Sequence, residues 1–114
     1  MQDRAYFWLI IYQMDLDNIL EQVKKYEPEK VILFGSYASG KQHKDSDIDL
    51  IIIKNTKKPF HDRLIEVRRL IDTTTPVDLL VFTPAEYDKH KRTNPFIAEI
   101  AETGRIIYEN ARGK

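Results

Sequence analysis

The sequence predicts an α+β domain: a mixed β-sheet with helices packed on it. Three observations carry that reading. Lys30–Phe34 (KVILF), Ile48–Ile53 (IDLIII) and Val77–Phe82 (VDLLVF) are short apolar runs of strand length, bounded by Gly, Pro or polar residues. Segments with helical periodicity lie before, between and after them. The first two runs have room between them for no helix of any length, so they should pair antiparallel within a sheet that is mixed overall.

In chain order, Asp15 is placed to cap a helix running to about Tyr26, with Leu16, Ile19, Leu20 and Val23 on one face and Pro28 closing it. Lys30–Phe34 is the first strand, and Gly35 ends it. Ser36–Gly40 is small and polar, suited to a single helical turn, and Lys41–Ser46 is a charged loop. Ile48–Ile53 is the second strand, and Lys54–Pro59 a polar connection. Phe60, Leu64, Val67, Leu70 and Ile71 mark a helix over 60–72, which Thr73–Pro76 breaks before the third strand. Pro84 opens a short helix to about Lys91. Asn94-Pro95 starts another, and Gly104 stops it. Arg105–Glu109 (RIIYE) is a final edge strand, and residues 111–114 a frayed tail.

The 114 residues suit one domain. Met14 begins a segment that reads as a natural start, so the domain is expected over 14–110. Residues 1–13, with YFWLIIY at 6–12, are then an N-terminal extension: an apolar arm packing on the body or on a twin subunit, with a homodimer as one assembly. That apolar stretch is too short to span a membrane, and it lacks a signal-peptide cleavage site. Lys plus Arg and Asp plus Glu are 18 each, giving a formal net charge of zero and no sign of a nucleic-acid-wrapping surface. There is no cysteine, hence no disulfide and no thiolate metal site, as suits a cytoplasmic protein.

The chemistry lies between Leu33 and Ile53 (LFGSYASGKQHKDSDIDLIII). Gly35–Lys41 matches most of a P-loop, but Gln42 stands where a magnesium-binding Ser or Thr belongs, and no periodic helix follows. The better reading keeps only Gly35-Ser36. Gly35 permits a tight turn after a strand, and Ser36 opens a helical turn whose free N–H groups can meet phosphate oxygens. Taken alone, a Gly-Ser pair is usually an ordinary turn. Asp47 and Asp49 change that weight. Alternation along a strand puts them on one side, where they repel each other unless a cation sits between them. Asp49 also abuts the core run Leu50–Ile53. Magnesium suits such oxygens, since it keeps substrate phosphates as further ligands. Asp78, inside VDLLVF, is a lone charge in a buried strand; it is either salt-bridged to a helix Lys or Arg, or it joins the other two carboxylates around a metal pair.

Other charged residues carry less. His43, His61 and His90 have no zinc-type spacing. His61-Asp62 reads as a surface or capping pair. Asp88–Arg92 and Arg63, Arg68 and Arg69 read as solvated helix faces. Tyr37 lies beside the proposed turn, where it could line a pocket.

Gly35-Ser36, then Asp47-x-Asp49 opening an apolar strand, then Asp78 in a later strand, closely resembles the minimal nucleotidyltransferases of the DNA polymerase beta superfamily. The resemblance covers Asp15 to Glu109, including the NPF-type helix and final strand of Asn94–Tyr108. It implies that Gly35 and Ser36 hold nucleotide phosphates. Asp47, Asp49 and Asp78 would bind two magnesium ions, with Asp78 also helping to deprotonate an acceptor hydroxyl. It further implies transfer of AMP from ATP to a partner protein, and pairing as antitoxin with a helical HEPN toxin. The alternative is a non-catalytic module that inhibits such a partner stoichiometrically. One departure stands out: many relatives have Arg where this chain has Ser39, and Lys41, Lys44 or a partner's Arg would have to replace it.

Overall fold

The computed structural model describes residues 2–39 and 47–110. The charged loop at 41–46, Gly40 and Gln42 of the P-loop match, the stand-in cations Lys41 and Lys44, His43 and the tail at 111–114 lie outside the described residues. The elements are α1 (Gln2–Val23), a 3-10 turn (Lys24–Tyr26), β1 (Lys30–Phe34), α2 (Ser36–Ser39), β2 (Ile48–Ile53), α3 (Phe60–Arg68), β3 (Val77–Phe82), α4 (Pro84–Thr93), α5 (Pro95–Thr103) and β4 (Arg105–Glu109).

The strands form one sheet in the order β3-β2-β1-β4. The β1–β2 and β1–β4 pairs are antiparallel and the β2–β3 pair is parallel, so the sheet is mixed as the sequence predicts. Both faces are covered. On one, Val31, Leu33, Leu50, Ile52 and Val81 pack against Leu16, Ile19 and Val23 of α1 and Val67 of α3. On the other, Ile32, Ile51, Ile53 and Phe82 pack against Tyr87 of α4 and Ile97 and Ile100 of α5. Burial on both faces is why β2 reads as a continuous apolar run rather than an alternating one. No helix among the described residues is long and apolar enough to cross a membrane.

Two element boundaries differ from the sequence reading. First, α1 begins at Gln2, and residues 2–13 are helically continuous with residues 14–23, so Asp15 lies mid-helix and caps nothing. Its carboxylate instead accepts a hydrogen bond of 2.7 Å from Thr75 Oγ1. Tyr12, in the same segment, is core, whereas Phe7, Leu9, Ile10 and Met14 are exposed. Second, α3 stops at Arg68 rather than at 72. The chain tightens there, with Leu70 N–H donating to Val67 O and Ile71 N–H to Arg68 O. Leu70 and Ile71 still pack on the core from this turn.

Helix starts follow their local chemistry. Thr83 and Glu86 form a reciprocal capping box at the start of α4, with Pro84 in its first turn. Asn94 caps α5 by accepting from Phe96 N–H at 3.0 Å. Pro59 caps α3 without a side-chain bond, so His61 and Asp62 are simply exposed residues of its first turn.

Candidate functional site

β1 delivers the chain to Gly35 with φ at +77°. That left-handed conformation is costly for any residue with a Cβ. Space imposes the same choice: a Cβ on Gly35 would lie 2.2 Å from Asp49 Oδ2. The turn and the carboxylate are therefore one construction, in which the absence of a side chain at 35 is what gives Asp49 its place. The register explains the proximity, since Phe34 lies directly opposite Asp49 in the antiparallel pair.

Asp49 faces Asp78 on its other side, where the two are register partners in the parallel β2–β3 pair. Asp78 is exposed on this edge strand, so it is not the charge in a buried strand that its sequence suggested. The Asp49 carboxyl is pushed up to about 6, first by burial, then by the charge of Asp78 and a side-chain hydrogen bond with it, then by Asp47. A bond that raises the pKa of Asp49 is one that its protonated carboxyl donates. Asp47 is exposed at the approach to β2 and acts on Asp49 through its charge. Among the described residues, no group of three or more His, Asp or Glu is gathered to hold a metal. The juxtaposed pair is Asp49–Asp78. Its oxygen-only donors, with the Asp49 carboxyl pushed up by burial and by its acidic neighbours, fit a hard divalent cation, which would relieve that repulsion. The salt-bridge reading of Asp78 finds no support, because no ion pair to Asp78 occurs among the described residues.

Ser36 opens α2, a helix of four residues, and is half-buried. The N–H groups of Ala38 and Ser39 both donate to Gly35 O at 3.1 Å. Ser39 Oγ donates back to Ser36 O at 3.2 Å, so the residue at which the resemblance leads one to expect Arg closes the turn on itself and supplies no charge. β2 runs antiparallel to β1, which is not the architecture of a P-loop. Tyr37 does not line the site. It is buried in the α1-side core, edge-on to Tyr12 with ring centroids 5.4 Å apart, and burial pushes its phenol up to about 12.

The carboxylates open onto a cleft of about 400 Å³ lined by Phe34, Asp49, Arg68, Asp78, Leu79, Leu80 and Phe96. Phe34 and Phe96 meet edge-on at 6.1 Å, forming an apolar wall. Arg68 is the one basic residue in this lining, a position the sequence reading assigned to a solvated face. Arg63, grouped with it there, is corrected outright. It is 6% exposed, donating from Nε to Lys58 O at 2.7 Å, from an Nη to Val81 O at 3.2 Å, and bidentately to Glu86 at 2.7 and 3.2 Å. Its spacing from Val67, one helical turn away on the apolar face, is the signal that could have revealed its burial.

The family model described as "Polymerase beta, Nucleotidyltransferase" matches residues 16–113. Two candidate protein adenylyltransferases of Methanocaldococcus jannaschii are similar in sequence. One is 29% identical over 93 residues, covering 82% of this chain and 88% of that protein. The other is 29% identical over 92 residues, covering 80% and 89%. A crystal structure of a candidate nucleotidyltransferase from Sulfolobus solfataricus superposes with a TM-score of 0.62 at 25% identity, over 85% of this chain and 79% of that one.

Proposed function

The chain belongs to the polymerase beta nucleotidyltransferase family, and from that premise we propose that it transfers AMP from ATP to a hydroxyl of a partner protein. The observation that carries the reading is the contact of Gly35 with the Asp49 carboxylate, with Asp78 in register beside it. The similarity to candidate protein adenylyltransferases supports a protein acceptor.

In this reading the Gly35-Ser36 turn receives the triphosphate, Asp49 and Asp78 would hold magnesium, and Asp47, exposed at the approach to β2, would complete the set once a cation draws it in. When bound, magnesium neutralises phosphate charge and favours ionisation of the acceptor hydroxyl. The acceptor oxygen bonds to the α-phosphorus as the bond to the bridging oxygen breaks, and pyrophosphate leaves. The hydroxyl proton passes to the Asp78 carboxylate. The protein contributes position and electrostatics, and Phe34 and Phe96 narrow water's access to the cleft. The partner is a helical HEPN-type protein, with this chain as its antitoxin.

The test is incubation with α-labelled ATP, magnesium and the product of the adjacent gene. Label on that product, lost in an Asp47→Ala, Asp49→Ala double variant, is the expected result. Inhibition of the partner that survives the double substitution instead supports stoichiometric blocking without turnover. Ser39 favours that second reading, because its hydroxyl is committed to Ser36 O and brings no cation to the phosphates.

A further inference from the structure

The site is laid out along the top of the sheet. Gly35-Ser36 stands at the end of β1, Asp49 on β2 and Asp78 on β3, which is an edge strand. Beyond Asp78, on the side away from the Gly-Ser turn, Arg68 borders the carboxylate cleft. The same residue borders a second hollow of about 250 Å³ formed with Thr73, Thr74, Thr75 and the start of β3. Arg68 is exposed and makes no ion pair among the described residues. It sits in the last turn of α3, where the helix dipole favours a cation without a carboxylate partner.

The hollow is pre-formed. Asp72 N–H donates to Gln22 Oε1 at 2.9 Å, and Gln22 Nε2 donates to Asp72 O at 3.2 Å. Thr75 Oγ1 donates to Asp15, and Thr75 N–H to Thr73 Oγ1 at 3.1 Å. These bonds tie the loop before β3 to α1, so a ligand meets a surface that needs no ordering.

We propose that Arg68 and the threonine hollow are the acceptor subsite of the transfer reaction, recognising an acidic side chain next to the acceptor hydroxyl of a protein segment; this rests on the nucleotidyltransferase reading. The charge pattern selects that ligand. The chain as a whole is neutral, which suits a single acidic side chain better than an extended polyanion. One unpaired guanidinium at the rim matches one carboxylate, held by a charge-assisted hydrogen bond. Its place beyond Asp78 puts that carboxylate beside the incoming hydroxyl rather than among the nucleotide phosphates.

The experiment measures fluorescence anisotropy of short labelled peptides, each with a central serine or tyrosine flanked by glutamate, glycine or lysine, binding the full chain without nucleotide. The glutamate peptide should bind about tenfold more tightly than the glycine peptide. Arg68→Glu should erase or invert that order, and Arg68→Lys should keep most of it. Magnesium-ATP affinity should stay within about twofold in both variants. Equal binding of acidic and neutral peptides by the unaltered chain overturns the proposal, as does an acidic preference that survives Arg68→Glu. Loss of magnesium-ATP affinity in Arg68→Glu reassigns the residue to the nucleotide and overturns it too. Binding of an oligouridylate that depends on Arg68, in place of the peptide order, has the same force. Peptide discrimination through Arg68 in a chain that transfers no AMP leaves the subsite standing and removes only the catalytic reading.

Discussion

β3 carries a charge cluster at each end, and the two are built on opposite rules. At its start, Asp78 lies in register with Asp49, and neither acid forms an ion pair among the described residues. At its finish, Arg63 binds Glu86 bidentately while also satisfying Val81 O and Lys58 O. The second cluster fastens α3 to β3 and to the capping box of α4, and every charge in it has a partner. The first weakens the fold where it stands. Charge that serves only architecture is paired, and unpaired like charge in a sheet marks a place kept ready for something else.

Substitution breaks the paired end most severely. Arg63→Leu should destabilise by about 3 kcal/mol in urea titration, since it leaves Val81 O and Lys58 O without their donor. Glu86→Gln should cost less, because the Glu86 side chain is 41% exposed. At the like-charged end, Gly35→Ala should cost about 2 kcal/mol, because the left-handed backbone penalises a Cβ and the Asp49 carboxylate must also move. Repeating Gly35→Ala in an Asp49→Gly background should recover the steric part alone, and an unchanged cost there would show that the contact is not felt.

The two ends also titrate in opposite senses. Asp49 has a folded pKa of about 6, above its ordinary 3.8. Its contribution to stability is therefore full below the unfolded value and is lost as pH rises through about 6. Glu86 is held below its ordinary 4.5, first by the hydrogen bonds from Arg63, so its contribution is present above that value and lost as pH falls through the lowered one. Melting in chelator from pH 4.5 to 8 should show a decline that Asp49→Asn removes, and magnesium should flatten the same decline in the unaltered chain. A chelator profile identical in Asp49→Asn contradicts the assignment. The smallest effect concerns the loop before β3: Thr75→Val should cost about 1 kcal/mol by leaving Asp15 without the hydrogen bond from Thr75 Oγ1.

Much of this was legible in the sequence. The strand spans, Asn94 and Pro84 as helix starts, and the mixed sheet follow from local periodicity and turn chemistry, and the structure agrees with them. Asp78 could be read two ways from its strand alone, and only the β2–β3 register places it beside Asp49. Other contacts between distant residues were not legible at all. Asp15 looked like a cap because its partner Thr75 lies sixty residues away. YFWLIIY is apolar at every position, so it shows no period by which its helix could be recognised. Arg63 was misread because a charged side chain on an apolar helix face is buried only when the fold supplies Glu86 and a free carbonyl.

The fit of Gly35 against Asp49 ties the histories of two positions together. A lineage that gives up the carboxylate at 49 frees space at 35, and only the backbone angle then argues for glycine. Retired copies of this domain should betray themselves by asparagine or alanine creeping into the turn, whereas lineages still at work keep it bare.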